Sequence, residues 1–312
     1  MQKIKWGIIG PGSIANAFAQ SIKHSQNSEL TGVFGRTKAK TNNFAQLFNI
    51  QSFGSLQDFL SSKDIDAVYV ATPHSDHFLY SLEAIKHHKH VLCEKPLTMN
   101  AHESMILLDL AHSLKVFLME AYMYRVHPQT LNILNHLSLF DESNEKILIE
   151  GSFGFKAEVS SDHRLRDPLL GGGAILDVGC YPLSMCKLIA GHLQDLPFAE
   201  PKSISAAGRL DKTGVDLQSD AHLIFSDQIE AKISCAIDEQ LPNKLVISNS
   251  DITIAVSDPW HCGQFYEGKS SIFVNHVSGS IEEISFDDQV GLFTREIEHA
   301  SSCILNHKIE SD

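Results

Sequence analysis

The sequence has little of what marks a membrane, secreted or nucleic-acid-binding protein. None of its apolar runs approaches the ~20 residues that cross a bilayer. Its beginning, MQKIKWGIIG, lacks the apolar stretch and cleavage site of a secretory signal. Basic residues number 25 against 38 acidic ones, so the net charge is −13, which disfavours a nucleic-acid surface. The six cysteines form no C-x-x-C pair and are typical of reduced thiols. These absences predict a cytoplasmic protein that binds neither nucleic acid nor membrane.

Histidine is abundant, with 17 residues, but it lacks the company that a metal site requires. His74 and His77 are three apart, yet no Cys or acidic cluster of recognised spacing accompanies them. His87, His88 and His90 fall where a helix should end, and polar or cationic residues are common there. We therefore predict no metal.

The first 120 residues alternate short apolar runs with helical spacing. Strands alternating with helices imply a doubly wound parallel sheet. Strands are predicted over Ile4–Ile9, Leu30–Phe34, Asp66–Ala71, His90–Cys93 and Val116–Glu120, and helices over Ile14–Lys23, Thr41–Phe48, Asp76–His88 and Ala101–Ser113.

The pattern changes after Tyr122. Beyond a helix expected around Ala174–Ala190, strands follow one another through short turns, and their alternation indicates an open, mostly antiparallel sheet with one covered face. These strands are predicted at Ser203–Leu210, Ala221–Phe225, Glu230–Ile237, Leu245–Ser248, Ile252–Val256, Ile272–Asn275 and Ile281–Phe286. The sequence thus predicts an α/β protein with a Rossmann domain at 1–122 and an α+β domain at 123–312.

The segment after the first strand, GPGSIA, has the context of a dinucleotide fingerprint, since it also opens a helix. Gly10 permits the tight turn, and Gly12 lets the backbone approach a pyrophosphate. Ser13 and Ile14 begin the helix, whose N–H donors and dipole favour the phosphate. The alternative is an ordinary strand–helix turn in which the glycines serve only the backbone.

A missing carboxylate indicates which dinucleotide binds. NAD-binding versions carry Asp or Glu ~20 residues after the glycines, but no acidic residue occurs between Leu30 and Gln57. Arg36 can instead bind a 2′-phosphate, and Thr37 adds a hydroxyl donor. We therefore predict NADP rather than NAD. A solvated basic helix start is the alternative, although it leaves the lost carboxylate unexplained.

Two further sites offer chemistry. Lys95 follows a predicted strand at the end where parallel sheets bind ligands, and Pro96 restricts its backbone and permits a cis bond. Asp177 and Tyr181 are four apart on a predicted helix and would share one face. Capping or packing at an interface is the structural alternative for that pair.

Five segments of the sequence carry a resemblance to known proteins: GIIGPGSIA, AVYVATPHSDH, HVLCEKPL, EAYMYRVHPQ and GGGAILDVGCY. Together they resemble the Gfo/Idh/MocA oxidoreductase family. Within it, MEAYMYR and the D-x-G-x-Y helix look most like dimeric dihydrodiol dehydrogenases and NADP-dependent D-xylose dehydrogenases, although many members carry histidine where Tyr181 stands. The family usually continues with a further helix where this sequence stops.

The resemblance implies hydride transfer between a secondary alcohol and C4 of nicotinamide. Lys95 would stabilise charge on the reacting oxygen, Tyr181 would exchange the proton, and Asp177 would orient Lys95 or the substrate. Arg125 is predicted to make a polar contact with substrate, with a structural ion pair as the alternative. Cofactor contacts are further implied for Thr72, Pro73, His74, His77 and Glu94.

The implied substrate is a small polyhydroxylated ring or aldose. Two alternatives remain open: a non-catalytic NADP-binding sensor, and a reductase of an imine or unsaturated ring. The strand at Ile252–Val256 is apolar on both sides, so the sheet would leave an apolar face uncovered. This predicts a homodimer, or a tetramer built from two such dimers.

Overall fold

The computed structural model describes residues 2–140, 145–160, 163–265 and 267–311. The chain divides into two compact units. The first unit contains the residues up to Met123 together with those from Val290 onward, and the second unit contains Tyr124–Gln289. The prediction of one second domain over 123–312 is therefore wrong at its end, because the last helix folds with the first unit.

The helices and strands are numbered in chain order. The α-helices are α1 Ser13–Ser21, α2 Lys38–Phe48, α3 Leu56–Ser61, α4 His74–Lys86, α5 Ala101–Leu114, α6 Pro128–His136, α7 Cys180–His192 and α8 Leu292–Leu305. The strands are β1 Ile4–Ile9, β2 Ser28–Phe34, β3 Gln51–Phe53, β4 Ala67–Val70, β5 His90–Glu94, β6 Leu118–Ala121, β7 Ile147–Gly154, β8 Ser203–Leu210, β9 Asp216–Ile224, β10 Ile229–Ala236, β11 Lys244–Ser248, β12 Ile252–Val256, β13 Lys269–His276 and β14 Ile281–Asp287.

The first unit is built on a parallel sheet of six strands in the order β3-β2-β1-β4-β5-β6. This confirms the predicted doubly wound sheet. The strand order reverses between β1 and β4, which is the point where such sheets bind ligands outside their carboxyl ends. The sequence does not predict β3, because three residues are too few to show a period.

Aromatic side chains fix α1 against this sheet. Phe18 of α1 stacks on Tyr69 of β4, with their ring centroids 4.0 Å apart, and meets the edge of Trp6 at 5.8 Å. All three side chains are fully buried. This packing holds the start of α1 beside the carboxyl ends of β1 and β4.

Helix α8 completes the first unit from the far end of the chain. Ile297 and Ala300 are fully buried, and the Trp6 indole N–H donates to Ser301 Oγ at 2.9 Å. Thr294 Oγ1 donates to the carbonyl of Ser21 at 3.1 Å. The apolar face of α8 is thus buried in the first unit, which explains why the predicted 123–312 domain differs from the observed division.

The second unit contains a mixed sheet of eight strands in the order β14-β13-β12-β11-β7-β10-β9-β8. Its neighbouring strands are antiparallel except for β7 and β10, which pair in parallel with Ile147 opposite Ile229. The predicted mostly antiparallel sheet is confirmed. The central strand β7 is absent from the sequence-based assignment, since its partners lie far along the chain.

The helical stretch Pro168–His192 bears on the expectation that no segment of the sequence is long and apolar enough to cross a membrane. By length and composition alone it could cross a membrane, although 56% of its apolar window is buried inside the protein. The core helix of a soluble protein passes the same test. Met185, Cys186 and Ile189 of α7 are fully buried, as in such a core helix.

Candidate nucleotide site and catalytic residues

The glycine turn has the conformation that a phosphate site requires. Gly10 has φ +94°, and a Cβ there would lie 2.8 Å from the carbonyl oxygen of Ala71. A Cβ on Gly12 would meet no atom within 4 Å, so its backbone faces open space. No side chain caps α1, which begins at Ser13. These features fit a pyrophosphate resting on the N–H groups of the first helical turn, including Ser13 and Ile14.

An open cleft of about 570 Å³, including the solvent at its mouth, adjoins this turn. The loops after β1, β2 and β4 all reach it, as expected for a nucleotide site at the strand-order reversal. Its lining residues are Ile9, Gly10, Pro11, Gly12, Gly35, Arg36, Thr37, Lys40, Ala71, Thr72, Pro73 and Tyr80. The cleft therefore brings together the glycines, Arg36, Thr37, Thr72 and Pro73 that the sequence analysis selected.

Arg36 has a partner that the sequence analysis did not identify. Its Nη2 lies 3.1 Å from Oδ2 of Asp76, in the first turn of α4. The sequence from Leu30 to Gln57 lacks an acid, but the fold supplies one from helix α4. No local signal in the sequence identifies this pair, since the strand order alone places α4 near the end of β2.

The residues that line this cleft do not include His77, and the cofactor contact implied for it stays a prediction. Its side chain is fully buried, with Nδ1 2.7 Å from the Pro96 carbonyl oxygen and Nε2 2.9 Å from that of Thr72. Burial is the main cause that lowers the pKa of His77, and its backbone contacts oppose that shift. The imidazole thus joins the loops after β4 and β5. The ring of His74, also buried, lies edge-on to it at 5.7 Å between centroids.

Lys95 follows the carboxyl end of β5, and its peptide bond to Pro96 is cis. Its side chain is partly buried. The next residue, Leu97, donates its backbone N–H to Glu120 Oε1 at 2.8 Å. The loop that carries Lys95 is therefore fixed both by His77 and by the carboxylate at the end of β6.

Glu94 has an interior partner beside its implied role at the cofactor. The hydroxyl of Tyr69, itself fully buried, donates to Glu94 Oε1. Burial is the main cause that raises the pKa of Glu94, whereas Tyr69 and then Lys95 oppose the rise. The contact fixes this carboxyl on the interior side of β5, at the residue before Lys95.

Another acid in the same unit differs from Glu94, because the described residues offer it no hydrogen-bond partner. Glu296 of α8 is fully buried, and within the described part of the chain neither carboxyl oxygen has a partner. Burial, followed by the charge of Glu94, holds the pKa of Glu296 well above its usual range. A fully buried carboxyl without a partner favours the neutral acid. Nothing in the local sequence distinguishes this glutamate from a solvated one.

In the second unit Asp177 and Tyr181 lie on a helix that begins with a π-helical turn, Ile175–Gly179. The α-helical spacing from which a common face was predicted is therefore not the observed geometry. Both side chains are buried, and Arg164 Nη1 donates to Asp177 Oδ1 at 3.1 Å. The sequence analysis missed Arg164, which precedes the GGG segment and gives Asp177 a cationic partner.

Tyr181 is surrounded by other aromatic rings of its unit. Its ring centroid lies 5.3 Å from that of Phe153, 5.8 Å from that of Tyr124 and 6.2 Å from that of Trp260. A phenylalanine at this position would preserve the packing while removing the phenol hydroxyl.

Arg125 contacts two side chains of the second unit. Its Nη2 donates to Ser184 Oγ at 2.9 Å, and its guanidinium lies 4.4 Å from the ring centroid of Phe198. These contacts support the structural alternative that accompanied the predicted substrate contact, although they involve a hydroxyl and a ring rather than an ion pair. Across the described ranges, no group of three or more His, Cys, Asp or Glu side chains could hold a metal ion.

The environment of Glu296 predicts a pH-dependent stability. The folded-state pKa of Glu296 is raised. As pH rises above about 4.3, the ordinary pKa of a glutamate, the unfolded chain therefore loses the carboxyl proton before the folded protein does. The contribution of the protonated acid to the free energy of unfolding is complete below that pH. It is lost progressively as the pH rises from there to the folded-state pKa. Relative to wild type, Glu296→Gln should gain about 1.4 kcal/mol of unfolding free energy per pH unit in this window.

Urea unfolding at a series of pH values between 4 and 7 measures this difference. Glu29→Gln, at an exposed position in the same unit, is the control and should run parallel to wild type. If unfolding free energy changed with pH in the same way for wild type and Glu296→Gln, the pKa of Glu296 would not be raised in the folded protein.

Comparisons with known proteins agree with this fold. Residues 4–122 match the oxidoreductase family with an NAD-binding Rossmann fold, and residues 145–255 match the GFO/IDH/MocA C-terminal domain. The chain is 32% identical over 317 residues to trans-1,2-dihydrobenzene-1,2-diol dehydrogenase of Xenopus tropicalis, covering 98% of this chain and 91% of that protein. It is 30% identical over 237 residues to D-xylose 1-dehydrogenase (NADP(+)) of Hypocrea jecorina, covering 68% of this chain and 60% of that protein.

Solved structures share the fold at lower identity. A tyrosine-to-phenylalanine mutant of a 3-ketoreductase from Actinomadura kijaniata, in complex with TDP-benzene and NADP, aligns with a TM-score of 0.84 at 22% identity, covering 98% of this chain and 91% of that chain. An aldose-aldose oxidoreductase from Caulobacter crescentus, complexed with glycerol, also aligns with a TM-score of 0.84. The identity is 21%, and the alignment covers 98% of this chain and 91% of that chain. The predicted Rossmann fold, nicotinamide dinucleotide cofactor and dehydrogenase class are confirmed. The chain belongs to the Gfo/Idh/MocA oxidoreductase family.

Proposed function

We propose that this protein is an NADP-dependent dehydrogenase that transfers a hydride between nicotinamide and a secondary alcohol of a sugar or cyclic diol. The observation that carries the proposal is the cleft in which an open Gly12 backbone faces the same space as Arg36. Relatives named for a dihydrobenzene diol and for D-xylose with NADP support the substrate class and the cofactor.

The residues of the cleft divide between the parts of the nucleotide. The turn from Gly10 to Ile14 would hold the pyrophosphate on the N-terminus of α1. Arg36 and Thr37 would bind the 2′-phosphate, because a guanidinium can donate two parallel hydrogen bonds to it. Thr72 and Pro73 would border the ribose, and bound NADP would supply nicotinamide C4 as the hydride carrier.

Lys95 and Tyr181 are the proposed groups that act on the reacting oxygen. The Lys95 ammonium would stabilise negative charge there, and its rigid loop favours a fixed position. The Tyr181 phenol would exchange the proton with the substrate oxygen. Asp177, paired with Arg164, would orient substrate hydroxyls.

The combination of Lys95, Asp177 and Tyr181 argues against a sensor that binds NADP without chemistry. Such a protein would not require a lysine fixed at the strand end or a phenol on a helix that carries a buried carboxylate. Assays with NADP⁺ and a panel of aldoses, inositols and cyclic diols test the proposal. Formation of reduced cofactor supports a dehydrogenase, and NADP binding with no turnover on the whole panel supports a sensor.

Arg36→Ala should remove most of the preference for NADP over NAD. A charge-assisted bidentate contact contributes about 1.5–3 kcal/mol, which corresponds to roughly one to two decades of affinity. Calorimetric titration with each dinucleotide measures the change, with Lys63→Ala as a control at an exposed position in the same unit. Equal affinities of the unmodified protein for NADP and NAD would contradict the assignment.

Lys95→Ala and Tyr181→Phe should each lower turnover by about 10²–10⁴-fold, because acid–base groups contribute rate factors of that size. Tyr181→Phe should leave NADP affinity and folding nearly unchanged, since the ring keeps its aromatic neighbours. Steady-state kinetics on the substrate found in the panel measure turnover, and titration with NADP is the control. Near-normal turnover in Tyr181→Phe would assign proton transfer to another group.

We also propose a cytoplasmic homodimer, or a tetramer of two dimers, formed through the sheet of the second unit. Half-buried Ala255 and exposed Ile281 provide apolar surface on the outward face of this sheet. Pairing two such sheets would remove this surface from water. Light scattering at micromolar protein concentration should give at least twice the 34.5 kDa mass of one chain. A monomer mass would reject the proposal.

A further inference from the structure

Arg36, which lines the nucleotide cleft, is paired with a carboxylate that none of the predicted roles uses. Asp76 lies in the first turn of α4, and its Oδ2 is 3.1 Å from Arg36 Nη2. The Arg36 side chain is 67% exposed, whereas that of Asp76 is 21% exposed. The more exposed guanidinium therefore remains accessible to a ligand while the less exposed acid holds one of its nitrogens.

The phenol of Tyr80, which lines the cleft, lies within reach of both charges. Burial is the main cause that raises the pKa of Tyr80, Asp76 adds to the rise, and Arg36 opposes it. The acid and the guanidinium thus act on the same part of the cleft. An arginine side chain has five N–H donors, so a contact through Nη2 leaves others for a second partner.

We propose that Asp76 is a specificity-determining residue that limits the preference for NADP over NAD. It supplies from α4 the carboxylate that NAD-binding relatives of this fold carry at the end of the second strand. A ribose 2′-hydroxyl can donate a hydrogen bond to this carboxylate, whereas a 2′-phosphate brings negative charge close to it. This inference rests on the proposed use of Arg36 in NADP binding.

The ion pair makes the cleft suitable for both dinucleotides. When NAD binds, Asp76 balances the charge of Arg36 and accepts from the ribose. When NADP binds, the free donors of Arg36 reach the phosphate, but the attraction is reduced by the neighbouring acid. Removing the acid charge should therefore strengthen NADP binding and weaken, or leave unchanged, NAD binding.

Calorimetric titration of wild type and Asp76→Asn with NADP⁺ and NAD⁺ separately tests the inference. Asparagine retains the size of the side chain and removes its charge. The ratio of NADP to NAD affinity should rise roughly fivefold to tenfold at low salt. The rise should shrink in 0.5 M salt, because the Debye length then falls to about 4 Å.

Asp58→Asn is the matched control. Asp58 is likewise an acid in the first turn of a helix, α3, but its carboxylate accepts from the Ser55 hydroxyl, whereas that of Asp76 contacts Arg36. Its substitution removes the same favourable charge–dipole contact and should leave the affinity ratio unchanged. A ratio that stays constant or falls in Asp76→Asn would overturn the inference.

The same titrations separate this inference from the proposed function. If wild type binds neither dinucleotide, or shows no preference that depends on Arg36, the proposed function fails. If wild type prefers NADP through Arg36 while Asp76→Asn does not raise that preference, only the role of Asp76 fails.

Discussion

The nucleotide cleft depends on the close approach of Gly10 to the backbone of Ala71. A Cβ at Gly10 would come within 2.8 Å of the Ala71 carbonyl oxygen, so a side chain there would push the first turn away from the end of β4. That approach, with Phe18 stacked on Tyr69 beneath it, fixes the start of α1 at the strand-order reversal. The open backbone of Gly12 follows from this placement.

The lysine loop and the interior below it are stabilised in different ways. Above, His77 and Glu120 fix the backbone around Lys95 through hydrogen bonds to Pro96 and Leu97. Below, the interior contains polar groups, which are costly to bury unless they are paired or neutral. The Glu94 carboxyl has the Tyr69 hydroxyl as its partner, whereas the neutral acid form explains how the carboxyl of α8 is accommodated.

Local patterns predict much of this architecture, and long-range pairing explains what they miss. The glycine turn, the lysine after β5 and the strand–helix alternation each follow from adjacent residues. Strand β7 takes its place only by pairing with β10 and β11, and Asp76 meets Arg36 only through the order of strands β2, β1 and β4. The sequence analysis interpreted His77 as a polar residue at the cofactor. Its two partners, the carbonyls of Thr72 and Pro96, lie in separate loops that no local pattern connects. The π-helical turn also replaced the regular spacing assumed for Asp177 and Tyr181.

The position of α8 has a consequence for how the chain folds during synthesis. The indole of Trp6 and the hydroxyl of Ser301 are separated by 295 positions along the chain, yet they form one buried hydrogen bond. Because domains generally fold from the N-terminus as they are made, β1 and α1 leave the ribosome long before their covering helix. The nucleotide-binding unit therefore retains an uncovered apolar surface until the whole second unit has been synthesised. Its closure is a late event that depends on α8.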